Sequence, residues 1–345
     1  MPFAAAVRGR HGDDAFLGAA KRELGGCGGV DIFFVLSGFV IAMTGPLAPC
    51  RPSGLEFFWK RWSRVVPLYF VISAIPVGQA ALAGALSSDK LIATFLFWPA
   101  AGGALTDPYL QVGWTLSFEM AFYTAVSLVL VGHLKRNLVI AFAVAAALWS
   151  CRLLFTWDGL QFLASPLFLE FGAGVALAAF RGTIGRLPIS IALGLLACGC
   201  ALLAAQTVSG TPDPGAIGSA QSYGNGIRRV FAFGVPAALI VSGALACERL
   251  CKGAVAATFA KLGDVSYSIY LVQFFALFQV AALWRALHWP ASPTLLLTAG
   301  LLAATAAGVF VHRVVEQPIM RDLRRLRMVR ASGALASASQ GKGAI

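Results

Sequence analysis

Charge is scarce in this chain. Only 12% of its 345 residues are Asp, Glu, Lys or Arg, about half the share of a soluble domain. No polar stretch is long enough to fold as a separate water-soluble domain, which excludes a soluble enzyme on a single anchor. Acidic residues are the scarcer sign, 15 against 27 basic, for a net charge of +12. In a soluble protein that excess would point to nucleic acid. In so apolar a chain it points to basic loops facing anionic lipid, and no nucleic-acid partner is expected. Paired cysteines are also lacking. The seven cysteines are odd in number and share no recurring spacing, so neither a disulfide framework nor a metal site is expected. Cys247 and Cys251 stand four apart, with no His or further Cys nearby to complete a zinc set. The first 26 residues lack the apolar core of a signal peptide.

What is present is apolar sequence in long runs. Hydrophobic residues make up 58% of the chain and its mean hydropathy is +0.77. A run of about twenty apolar residues is the length that crosses a bilayer as a helix. The fold class is therefore an all-α polytopic membrane protein. Nine spans are expected, near 29–44, 66–86, 114–132, 137–155, 160–180, 188–206, 229–247, 266–287 and 294–312. The run at 91–101 is too short to span, and is expected to lie at the interface or re-enter. Orientation follows from charge. If the chain after Arg313 is cytoplasmic, that side also collects Arg51, Lys60, Arg61, Arg64, Lys135, Arg136, Arg181, Arg186, Arg249, Lys252 and Lys261. Most basic residues then lie inside, as the positive-inside rule requires. Arg228 and Arg229 remain at an outer helix end, and Arg8, Arg10, Lys21 and Arg22 on an N-terminal tail placed outside.

Charges inside membrane helices are costly and mark function. Glu119 lies in "GWTLSFEMAFY" among Trp114, Thr115, Ser117 and Tyr123; Glu170 lies mid-helix in "PLFLEFGAGVALAAF". A packing role and a functional role both remain open for Glu170. Asp31 opens the run "GGVDIFFVLSGFVIA", where a favourable helix dipole accounts for it as well as catalysis does. Ser37 and Gly38 in that run are small enough for close helix packing. In "FFWKRWSRVVPLYF", Arg61 and Arg64 share a helix face. They suit either a snorkelling interfacial anchor or a grip on phosphate oxygens.

These stretches, in this order, resemble the membrane acyltransferase 3 family, bacterial enzymes that acylate surface glycans. The similar segments are "GGVDIFFVLSGFVIA", the Arg61–Arg64 motif, "GWTLSFEMAFY" with Trp114 and Glu119, "LEFGAGVALA" with Glu170 and Gly174, "LGDVSYSIYLVQ" with Asp264, Ser266 and Tyr267, and "VVEQPIM" with Glu316 and Pro318. The resemblance implies transfer of an acyl group, usually acetyl from acetyl-CoA on the cytoplasmic side, to a hydroxyl of a sugar or lipid-linked glycan outside. It implies Arg61 and Arg64 as ligands of the coenzyme A phosphates; Glu119 and Asp31 are the candidate catalytic residues. Trp114, Glu170, Tyr267 and Glu316 are further motif positions. The domain is expected over 28–319, between a polar tail at 1–27 and a basic tail at 320–345. Relatives carry ten helices, the first bearing a histidine held to be essential. That helix is expected to be missing here, and none of His11, His133, His288 and His312 lies inside a span.

The expected function is an integral-membrane O-acyltransferase of the bacterial inner membrane, acting on a cell-surface polysaccharide or glycolipid, with acyl-CoA, glycan and membrane lipid as partners. Two alternatives stay open: a glycan or lipid transporter, and a non-catalytic relative that binds acyl-CoA or a partner.

Overall fold

A computed structural model describes residues 27–102, 105–131, 151, 154–155, 157–208, 226–289, 292–323 and 325. Among these the regular structure is helical, without a strand. In a bilayer every backbone donor and acceptor must be met within its own segment, and a helix does this. Helix α1 is Cys27–Thr44, α2 Gly54–Leu82, α3 Ser88–Phe95 and α4 Gly113–Val131. Then come α5 Asp158–Leu163, α6 Phe168–Ala179, α7 Ile189–Val208 and α8 Val235–Cys247. A wide π-helical turn, Val230–Gly234, leads into α8. Helix α9 is Ala254–Ala286, and α10 is Pro293–Val311, followed by a second π-helical turn at His312–Glu316.

Seven helical stretches are long and apolar enough to cross a membrane: Gly54–Leu82, Gly113–Val131, Asp158–Ala179, Ile189–Gln206, Ile227–Leu250, Ala256–Ala286 and Thr294–Leu323. The shorter Gly28–Thr44 adds an apolar helix at the lower limit of spanning length. Eight of the expected spans thus coincide with helices, and the chain is a multi-pass membrane protein. The ninth, 137–155, lies largely outside the described residues, as does the tail at 1–26. The short run after residue 90 forms α3, eight residues capped by Ser87. Helix α2 starts well before the expected 66 because Ser53 caps it: its side chain accepts from the Glu56 amide at 3.2 Å. That extra length carries Trp59, Arg61 and Arg64 on helix rather than loop.

The described chain divides into two compact units. The first holds the residues up to 59, those from 73 to 259, and 291–293; the second holds 60–72, 260–290 and everything from 294 onward. In the first unit α1 packs along α6, and α8 lies against both α7 and α1. Gly38 permits the α1–α6 approach, since a Cβ there would overlap the Phe171 carbonyl. Gly174 does the same from the other side, against the Val35 carbonyl. Phe34, Phe118, Phe162 and Phe171 are fully buried, and Phe34 stacks on Phe171 with ring centroids 4.8 Å apart. In the second unit a Cβ on Gly308 of α10 would likewise overlap Ile269 in α9.

Candidate functional site

The polar residues expected inside the membrane gather into two clusters in the first unit and one in the second. In the first unit, Ser37 on α1 donates to Glu119 Oε1 on α4 at 3.3 Å, and Tyr123 donates to the same oxygen from one turn further along α4. Glu119 and Ser37 are buried, and Tyr123 shows only 2% of its surface. So Ser37 does more than spare room between helices: its hydroxyl is a ligand of the carboxylate.

The second cluster overturns the dipole account of Asp31. The described helix already runs at Cys27, and Asp31 is wholly buried within it. Its counter-charge is Arg229, whose Nε and Nη2 donate to the two carboxylate oxygens at 3.0 Å each. This fork geometry is the strong form of an ion pair. Arg229 is itself buried, with its guanidinium carbon 5.7 Å from the centre of the Trp114 ring. Arg229 stands near the start of the Ile227–Leu250 stretch, at a helix end as expected, and its side chain pairs with Asp31. Glu170 adjoins Asp31 and Arg229. Its two oxygens are buried without a hydrogen-bonding partner among the described residues. Gly234, at the end of the π-helical turn, leaves the space it fills: a Cβ there would sit 2.9 Å from Glu170 Oε1. Arg229 carried a signal in the sequence, being a basic residue on the side where basic residues are few. A buried aspartate on α1 requires such a partner.

The third cluster belongs to the second unit. Tyr267 donates to the Val65 carbonyl at 2.8 Å. Ser268 donates to Glu316 Oε2 at 2.6 Å, and His312 Nδ1 meets the same oxygen at 2.8 Å. Tyr267 and Glu316 were expected to matter, and here they take part in one bonded framework. Ser268 and His312 were missed. Ser266, the serine singled out instead, is exposed and bonds only the Gly263 carbonyl of its own helix. Arg64 is exposed on α2 and Arg61 half-buried. Among the described residues no group of His, Cys, Asp and Glu could hold a metal ion.

The chemistry available is that of carboxylates held by hydroxyls and one guanidinium in apolar surroundings in the first unit, and of a guanidinium pair on α2 in the second. Comparison with known proteins gives this set a context. The profile of a family described as "Acyltransferase domain" matches residues 8–313. The chain is 32% identical to the exopolysaccharide production protein ExoZ of Rhizobium meliloti (strain 1021), over 88% of this chain and 92% of that protein. It is 29% identical to the acyltransferase MdmB of Streptomyces mycarofaciens, over 87% of this chain and 82% of that protein. No solved structure matches the chain.

Proposed function

Because the chain belongs to this acyltransferase family, and is thus a membrane-bound transferase of acyl groups, we propose that it moves an acetyl group from acetyl-CoA to a hydroxyl of a cell-surface polysaccharide or glycolipid, in the bacterial inner membrane. A relative of nearly the same length that is named for exopolysaccharide production supports the acceptor class. The observation that carries the reading is the set of buried carboxylates, Glu119, Asp31 and Glu170, that an apolar bundle keeps despite their cost. In the reaction the acceptor hydroxyl attacks the thioester carbonyl, an ester forms, the carbon–sulfur bond breaks, and the hydroxyl proton leaves with the coenzyme A thiol.

The residues divide that work. Arg61 and Arg64 lie three apart on α2 and grip the donor's phosphates in the bidentate manner open to guanidinium groups. Glu119, fixed at Oε1 by Ser37 and Tyr123, receives and orients the acceptor hydroxyl. Asp31, locked by Arg229, holds the charge beside Glu170, whose unfilled oxygens offer a second place for a sugar hydroxyl. The test compares the surface polysaccharide of cells with and without the gene. Ester-linked acetyl, read by proton NMR before and after mild alkali, is expected to vanish with the gene and to return with the parent. It is expected to stay absent with Glu119→Gln. Unchanged acetyl content in the deleted strain would refute the acceptor.

A further inference from the structure

The Tyr267–Ser268 step of α9 ties together three stretches of the second unit. Tyr267 bonds the carbonyl of Val65, the residue directly after Arg64, and Ser268 bonds Glu316 beyond α10. Gln317 Nε2 lies 3.2 Å from His312 Nε2. A carboxylate oxygen accepts, so the ring nitrogen that meets it, His312 Nδ1, is the donor to Glu316. Both donors therefore converge on Glu316 Oε2. No partner contacts Oε1 among the described residues, and the Glu316 side chain keeps 11% of its surface exposed. The carboxylate sits in the π-helical turn His312–Glu316, a distortion frequent at functional sites. Neighbouring Leu271 and Val272 on α9 are buried and apolar, so a neutral N–H donor suits the place better than a second charge.

We propose that Glu316 Oε1 receives an amide N–H of the pantetheine arm of the acyl donor, and that Ser268 and His312 are positioning residues that aim it. The donor site then runs from Arg61 and Arg64, at the phosphates, through the Val65–Tyr267 link to Glu316, close to the thioester. This rests on the reading that the donor is an acyl-CoA. It assigns Glu316 Oε1 a ligand of defined chemistry, and it makes the arm, rather than the nucleotide, the part of the donor that this cluster reads.

Two probes separate the parts of that ligand. Coenzyme A carries the arm; adenosine 3′,5′-bisphosphate carries the nucleotide and two of the three phosphates without it. Binding of each is measured by calorimetry on the full chain in lipid nanodiscs. Ser268→Ala, His312→Phe and Glu316→Ala are expected to weaken coenzyme A by roughly tenfold each and to leave the bisphosphate unchanged. His312→Asn, which keeps a donor near Nδ1, is expected to restore most of the loss. Arg61→Ala with Arg64→Ala is expected to weaken both probes. Equal weakening of both probes by Ser268→Ala would reveal a merely structural cluster, and unchanged coenzyme A binding by Glu316→Ala would overturn the arm contact. If neither probe binds the parent, the acyl-CoA reading itself fails and takes this inference with it.

Discussion

Asp31 and Glu316 are both buried carboxylates, yet the molecule treats them in opposite ways. Asp31 meets a full counter-charge, with both oxygens taken by Arg229. Glu316 meets only a hydroxyl and an imidazole, both on one oxygen. A charge moved out of water needs compensation, and an opposite charge with fork geometry supplies most of it. Such a pair ties α1 to the helical turn just before Val230–Gly234. A carboxylate with a spare oxygen, by contrast, still has bonding to offer. A π-helical turn stands beside each, at Val230–Gly234 and His312–Glu316. In the first it clears space for Glu170; in the second it carries the open carboxylate. On the proposed reading, the contrast is between a charge paired within its own unit and one left open to a ligand.

The sharpest way to break that contrast is to remove the counter-charge. Arg229→Ala leaves Asp31 buried and unpaired, a change that costs about 3–5 kcal/mol. Thermal unfolding in nanodiscs should show a large fall in midpoint and in folded yield. A midpoint equal to the parent's would mean that the ion pair is not part of the framework. Next in size is Gly38→Ala, which forces α1 away from the Phe171 carbonyl. Overpacking of this kind costs about 1–3 kcal/mol, and the same melting curve reads it. Native stability in this variant would show that the helices separate freely there.

Smaller effects test the substrate side. Glu119→Gln keeps shape and most hydrogen bonding, so turnover should fall by more than folded yield does. Tyr123→Phe removes a hydroxyl that bonds Glu119 and costs about 1 kcal/mol, with a milder loss of turnover. Equal activity in both variants and the parent would return Glu119 to packing. The smallest expected effect is Ser266→Ala. Its hydroxyl is exposed and bonded within its own helix turn, so stability and donor binding should stay within about 0.5 kcal/mol of the parent. Ser268→Ala, two residues on, should differ clearly from it in coenzyme A binding.

Much of this architecture is legible in the sequence, because length and hydropathy alone decide which segments cross a bilayer. The helices over Gly113–Val131 and Ile189–Gln206 match their expected spans within a few residues. Helix ends are read less well where a cap rather than hydropathy sets them, as Ser53 does for α2. The site is legible in part. Glu119 and Glu170 stand out because a carboxylate in an apolar run is costly. Their partners do not. Arg229 lies 198 residues from Asp31, and Ser268 lies 48 from Glu316; no local periodicity links such positions. Ser266 and Ser268 are indistinguishable in composition, and only the direction each faces on α9 separates an exposed hydroxyl from a buried ligand.

The central claim is that this protein transfers an acyl group from acyl-CoA to a glycan hydroxyl. Its most direct test mixes acetyl-labelled acetyl-CoA with the purified full chain in nanodiscs and the producing cell's own de-esterified polysaccharide, and follows label into an alkali-labile ester on the glycan. Label is expected on the polysaccharide with the parent, and neither with Arg61→Ala plus Arg64→Ala nor without acceptor. Label that never leaves acetyl-CoA, in a preparation that is folded and binds coenzyme A, would contradict the account.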